Sequence, residues 1–148
     1  MLTLACEIFP KMSSDLLDTA CEIGETVWKE GLSLKGNKLL DGIPGNSYLL
    51  HNLFRTFNKL SKTQNIDKDL KRQFARNALK WRSRAFIFAL SLCDERINNL
   101  IKNYNISRKY LELNLHPYSL MEGHSGEVYL ISDLLLDESQ VAFPGFEI

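Results

Sequence analysis

The stretch Ser33–Phe54, SLKGNKLLDGIPGNSYLLHNLF, decides how the rest of the chain is read. It is a polar, glycine-hinged loop that runs straight into an apolar helix. Its pattern returns near the C-terminus, where Glu122–Leu135 (EGHSGEVYLISDLL) lies over Asp41–Phe54 (DGIPGNSYLLHNLF). Both copies read acid-Gly-x-x-Gly-x-x-Tyr-Leu-aliphatic-x-x-Leu-apolar. A repeat of this kind outweighs a single motif, because chance must produce it twice in register.

Each copy has a physical sense. The glycine pairs Gly42/Gly45 and Gly123/Gly126 permit close backbone approach and positive φ. Pro44, matched by Ser125, suits the first turn of a helix. Tyr48, Leu49 and Leu53 form one apolar helical face, as do Tyr129, Leu130 and Leu134. Each loop therefore aims a helix N-terminus at something, and the helix then buries itself. Architecture alone accounts for two equivalent helix starts. A functional reading has the two loops line a shared site, since helix N-termini attract anions and thiolates.

Outward from the first loop, the upstream segment is helical. Leu2–Phe9 reads as a short apolar helix stopped by Pro10. Ser13, Ser14 and Asp15 supply capping chemistry for a second helix, in which Leu16, Leu17, Ala20, Cys21, Ile23, Val27 and Trp28 keep helical spacing up to Gly31. Downstream, the loop helix runs to about Leu60, and Ser61–Ile66 is a polar linker. Asp67–Cys93 reads as a long amphipathic helix with room for one break. Leu70, Phe74, Ala78, Trp81, Ala85, Phe88 and Leu92 hold one stripe. Lys68, Arg72, Arg76, Lys80 and Arg84 hold another. A solvated outer face explains the basic stripe; a sharper reading makes Lys68, Arg72, Arg76 and Lys80 an anion site for phosphopeptide or anionic lipid headgroups. Nucleic acid is excluded as the preferred partner, because no aromatic stacking platform accompanies the charges. Arg96–Tyr104 is a further helix, Asn105–His116 a loop, Pro117–Gly126 the second glycine loop and Glu127–Leu136 its helix. The tail carries Val141, Phe143, Phe146 and Ile148, which predicts docking against the body. No strand is expected.

Composition sets the bounds. The 148 residues suit one domain spanning 1–148, and 45% apolar with 24% charged residues is enough for a packed core. Formal net charge is zero. No apolar run is long enough for a membrane span, and no positive charge precedes the apolar start as in a signal peptide. Cys6, Cys21 and Cys93 are scattered and odd in number, as reduced thiols of a cytoplasmic protein would be. No Ser/His/Asp order, paired-cysteine motif, HExxH or phosphate loop appears. His51 reads as a polar or half-buried surface residue. His124 stands inside the second glycine loop, where solvent contact is the simple reading and a site role the sharper one.

Three stretches carry a resemblance. Trp28-x-x-Gly31-Leu32-x-x-Lys35-Gly36-x-x-Leu39-x-x-Gly42-x-x-Gly45-Asn46-x-Tyr48 resembles the zinc-site region of the eukaryotic LanC-like (lanthionine synthetase C-like) proteins. Pro117-Tyr118-Ser119-Leu120-Met121-Glu122-Gly123-x-x-Gly126 resembles their second C-terminal loop. Asp133-Leu134-Leu135 with Ala142–Ile148 resembles their ending. The match runs over nearly all of this chain and only the C-terminal part of the family's, with residues about 58–80 longer than the family's usual connection. It implies an all-α fold, part of an α/α toroid of the six-hairpin-glycosidase-like kind. It also implies thiol-addition chemistry. Family members bind zinc, which holds a coordinated thiol as a nucleophilic thiolate. Bacterial relatives close thioether rings, and eukaryotic ones are linked to glutathione, to modified peptides and in part to the plasma membrane.

This sequence departs from the family where the metal should sit. The adjacent Cys-His ligand pair is replaced by Leu40 and Asp41, and the third ligand, a cysteine in an earlier glycine loop, falls before Met1. Leucine offers zinc nothing, and one aspartate oxygen does not make a site that takes three protein donors. No metal is therefore expected, and no catalytic residue is assigned. Lys35, the lysine the family associates with glutathione, is retained, and Gly36, Gly42, Gly45, Gly123 and Gly126 shape the loops. These observations support a zinc-less protein with weak or no activity that still takes glutathione or peptide. The alternatives are an interaction module for a protein or anionic membrane surface, and the C-terminal portion of a longer enzyme. A partial toroid leaves apolar helix faces open, so self-association is expected.

Overall fold

The computed structural model describes residues 13–32, 38–64, 66–94, 116, 118–136, 141, 143 and 144. The readings made for Leu2–Phe9, Lys35, Gly36 and Arg96–Tyr104 lie outside them. Among the described residues the chain is all-helical, with no strand. Four helices follow one another: α1 (Ser13–Glu30), α2 (Ile43–Lys62), α3 (Lys68–Cys93) and α4 (Ser125–Leu134).

Helices α2 and α3 form the central hairpin. Their short connection starts as the Thr63 N–H bonds Leu60 O and ends at Asp67, whose carboxylate caps α3 by accepting from Asp69 N at 3.0 Å. The stripe predicted for α3 is the one that faces α2: Ala78, Trp81, Ala85 and Phe88 are buried against Leu50, Leu53, Phe54 and Phe57. No break interrupts α3. Its start departs from expectation, since Leu70 is exposed where the hairpin ends. Burying side chains of this size contributes about 1.5–3 kcal/mol each, which outweighs the weak helix propensity of the aromatic residues.

Helix α1 crosses this hairpin at Gly24. A methyl group there would stand 2.5 Å from Leu53 Cδ1 and 2.8 Å from Trp81, so the residue must be small for the crossing to close. Leu17, Cys21, Val27 and Trp28 pack on the same core, whereas Ile23 is exposed, contrary to its place in the predicted stripe. Glu25 reaches over to Lys80 at 2.5 Å and Arg84 at 2.9 Å. The Arg84 guanidinium lies 4.9 Å from the ring centres of both Trp28 and Trp81, a cation between two π faces. Asn46 Nδ2 donates to Gly31 O at 3.0 Å, tying the end of α1 to the start of α2.

Helix α4 packs on the other flank through a second core of Leu39, Tyr48, Ala89, Leu130 and Val141. The tail is docked as expected where it is described: Arg55 Nη1 donates to Val141 O at 2.8 Å, and Phe143 meets the Tyr48 ring edge-on at 5.5 Å.

Candidate functional site

The two glycine loops are built alike and touch each other. In the first, Gly42 N bonds Lys38 O at 2.8 Å; in the second, Gly123 N bonds Ser119 O at 2.9 Å. A Cβ on Gly45 would run into Leu39 O, and one on Gly126 would stand 2.6 Å from Leu120 O. Lys38 and Ser119, Leu39 and Leu120, and the glycines themselves are repeat partners at one constant offset. The repeat read from sequence is thus a repeat of hydrogen bonds. The glycines serve close approach: the loop carbonyl occupies the space a side chain would need.

The helix starts differ in detail. Gly42 is extended at the N-cap of α2, Pro44 occupies the first turn, and Asn46 N closes an α-type bond to Gly42 O at 3.1 Å. The second helix begins with tighter bonds, Gly126 N to Gly123 O and Glu127 N to His124 O. Leu40 N donates to Met121 O at 3.3 Å, and a Cβ on Gly126 would stand 2.8 Å from Leu39 Cβ, so the loops share a backbone junction. The two loops therefore meet in space.

Beneath the junction lies a polar contact that sequence reading missed. Tyr48 Oη donates to Asp133 Oδ2 at 2.7 Å, with both residues buried. The repeat contained the signal: Asp133 aligns with Asn52, a polar residue inside an otherwise apolar run. Tyr129, the repeat partner of Tyr48, is partly exposed rather than on the buried face, and among the described residues the neighbours that surround α2 are not matched around α4.

The histidines divide. His51 is buried, not a surface residue as the sequence suggested. Its ring meets Phe54 edge-on, and loss of hydration, with Arg55 and Arg82 nearby, pushes its pKa down to about 4. His124 stands exposed at the N-cap of α4 with Nδ1 3.0 Å from Glu127 Oε1. Leu40 and Asp41 are both exposed on the first loop. Among the described residues no three His, Cys, Asp or Glu side chains gather closely enough to hold a metal ion.

The basic stripe of α3 splits. Lys80 and Arg84 turn to Glu25, whose carboxyl they hold near pKa 2, chiefly through the Arg84 contact and then that of Lys80. Arg72 pairs along the helix with Asp69 at 3.0 Å. Lys68 and Arg76 are exposed. Among the described residues no helix is long and apolar enough to cross a membrane.

The family model described as "Lanthionine synthetase C-like protein" matches residues 1–148. LanC-like protein GCL1 of Arabidopsis thaliana is 33% identical over 99% of this chain and 27% of its own length. Glutathione S-transferase LANCL1 of Danio rerio is 30% identical over 89% of this chain and 25% of its own length. The chain spans about a quarter of each of these relatives. No solved structure matches it. A family match over every residue, with two glycine loops that share the same closing bond, places this chain in the lanthionine synthetase C-like family.

Proposed function

We propose that this chain is a LanC-like binding module that takes glutathione or a glutathione-bearing peptide without a resident zinc and without appreciable thiol activation. The observation that carries the reading is Leu40-Asp41 on the first glycine loop. Leu40 offers only hydrocarbon, Asp41 one carboxylate, and His124 already stands against Glu127. This donor set does not fit a zinc site, which takes three protein ligands in addition to the bound thiol or water.

The remaining groups are weak substitutes for a metal. A helix N-terminus contributes roughly 0.3–1 kcal/mol to an anion at an exposed site. Lowering a thiol's pKa by one unit requires about 1.4 kcal/mol. The bound thiol therefore stays largely protonated near neutrality, and addition to a dehydroamino acid is slow. Glutathione as the ligand is supported by family membership, by Lys35 and by the printed name of the Danio rerio relative, a glutathione S-transferase.

The test pairs calorimetric titration with glutathione and elemental analysis of the purified chain. The expected result is saturable binding weakened by Lys35→Ala, zinc well below one per chain, and little turnover of a dehydroalanine peptide. One zinc per chain, or fast zinc-dependent addition, overturns the reading. Leu40→Cys with Asp41→His is expected to raise zinc affinity only slightly, because two ligands do not complete the set.

A further inference from the structure

Helix α4 is held against the first repeat at both of its ends. Just before its start, Met121 O accepts from Leu40 N at 3.3 Å, and a Cβ on Gly126 would stand 2.8 Å from Leu39 Cβ. In its last turn, Asp133 Oδ2 accepts from Tyr48 Oη at 2.7 Å. Tyr48 stands in the second turn of α2, directly after the first glycine loop. Between the two anchors Leu130 is buried with Leu39, Tyr48, Ala89 and Val141. Leu120, Met121 and Leu134 pack on the same cluster. One small core thus joins Leu39 of the first loop, Leu120 and Met121 of the second, and both ends of α4.

The two anchors differ in strength. α4 has ten residues, and a helix that short does not stand by itself in water, so its placement comes from its contacts. At the start it has a long backbone bond and a close apolar contact. At the end it has a short bond from a phenol to a carboxyl group, both buried, and such a bond is the stronger of the two. Without the far anchor α4 pivots on its start. Ten residues at about 1.5 Å of rise each make a lever of roughly 15 Å that ends at the loop junction.

We infer that Tyr48 and Asp133 are positioning residues for the first glycine loop. Their bond anchors α4, α4 carries Met121 O to Leu40 N, and this contact holds Leu40–Gly45 in the form that takes ligand. The second glycine loop thereby serves the first as a brace. The inference rests on the proposed glutathione site at the first loop. Both side chains are buried, so they act on ligand through the loop backbone and not by touching it.

Calorimetric titration of the full chain with glutathione, paired with amide hydrogen exchange, tests this at a temperature where every variant is folded. Tyr48→Phe and Asp133→Leu are each expected to weaken glutathione binding by roughly tenfold. Asp133→Asn keeps an acceptor oxygen for the phenol and retains most of the affinity. Phe57→Leu destabilises the α2–α3 core toward the other end of α2 and leaves affinity at the parent's level, which separates positioning from loss of stability. Exchange reads the brace directly. In Tyr48→Phe the Leu40 amide, bonded across the two loops, exchanges faster by roughly tenfold. The Gly42 amide, bonded within its own loop to Lys38 O, keeps the parent's rate. Parent-like affinity in Tyr48→Phe overturns the inference, as does equal weakening by Phe57→Leu or a Leu40 amide that exchanges no faster. A parent chain that binds no glutathione defeats the ligand reading instead. Exchange at Leu40 then decides the brace by itself: a faster rate in Tyr48→Phe supports it and an unchanged rate overturns it.

Discussion

Replacing Tyr48 by phenylalanine isolates the contact beneath the loop junction. The substitution keeps the ring, and with it the edge-on contact with Phe143, and removes only the hydroxyl that reaches Asp133 at 2.7 Å. A hydrogen bond to a charged acceptor contributes about 1.5–3 kcal/mol, and burial places this one toward the upper half of that range. For a chain of this length the loss lowers Tm by roughly 5–10 °C. Urea denaturation of Tyr48→Phe, Asp133→Leu and the double variant closes a cycle. The expected coupling energy is about 1.5 kcal/mol or more, with the double variant less damaged than the sum of the singles. A coupling near zero, or Tyr48→Phe within roughly 0.5 kcal/mol of the parent, would refute the claim that this pair ties α2 to α4.

The loop glycines make a second prediction. Gly126→Ala forces a methyl against Leu120 O and Leu39, and Gly45→Ala forces one against Leu39 O, so each destabilises by about 1–3 kcal/mol through overpacking against backbone; thermal melts check this, and a neutral effect at both positions contradicts the close approach. His51 gives a pH dependence. Its folded pKa is depressed to about 4 from 6.5, so its neutral form is favoured by folding, and stability is full above pH 6.5 and falls as pH drops toward 4, by up to about 3 kcal/mol. His51→Phe should flatten denaturation midpoints across that window, and an unchanged slope counts against burial of the neutral ring. Glu25 acts at lower pH: its contribution is present above pH 4.5 and lost as pH falls toward 2. Because its side chain is 35% exposed, solvent screening reduces that contribution to about 1 kcal/mol, which Glu25→Gln removes.

Periodicity alone determined the elements. The 3.6-residue spacing of Ala78, Trp81, Ala85 and Phe88 is a local property of the chain, and it placed α3 and its buried side correctly. The glycine repeat was equally legible, since a backbone that passes against a carbonyl excludes a side chain wherever the motif occurs. Other features depended on which neighbours arrived. Tyr48 and Tyr129 occupy the same place in the repeat, yet only Tyr48 is buried and bonded to a carboxylate. His51 had a surface residue's sequence context, but α3 covers it and strips its hydration. Lys80 and Arg84 belong to a basic stripe in sequence, but α1 brings Glu25 against them and against no other member of that stripe among the described residues. Spacing fixes the face a side chain shares, whereas burial and pairing are properties of two surfaces, and the second surface comes from a distant part of the chain.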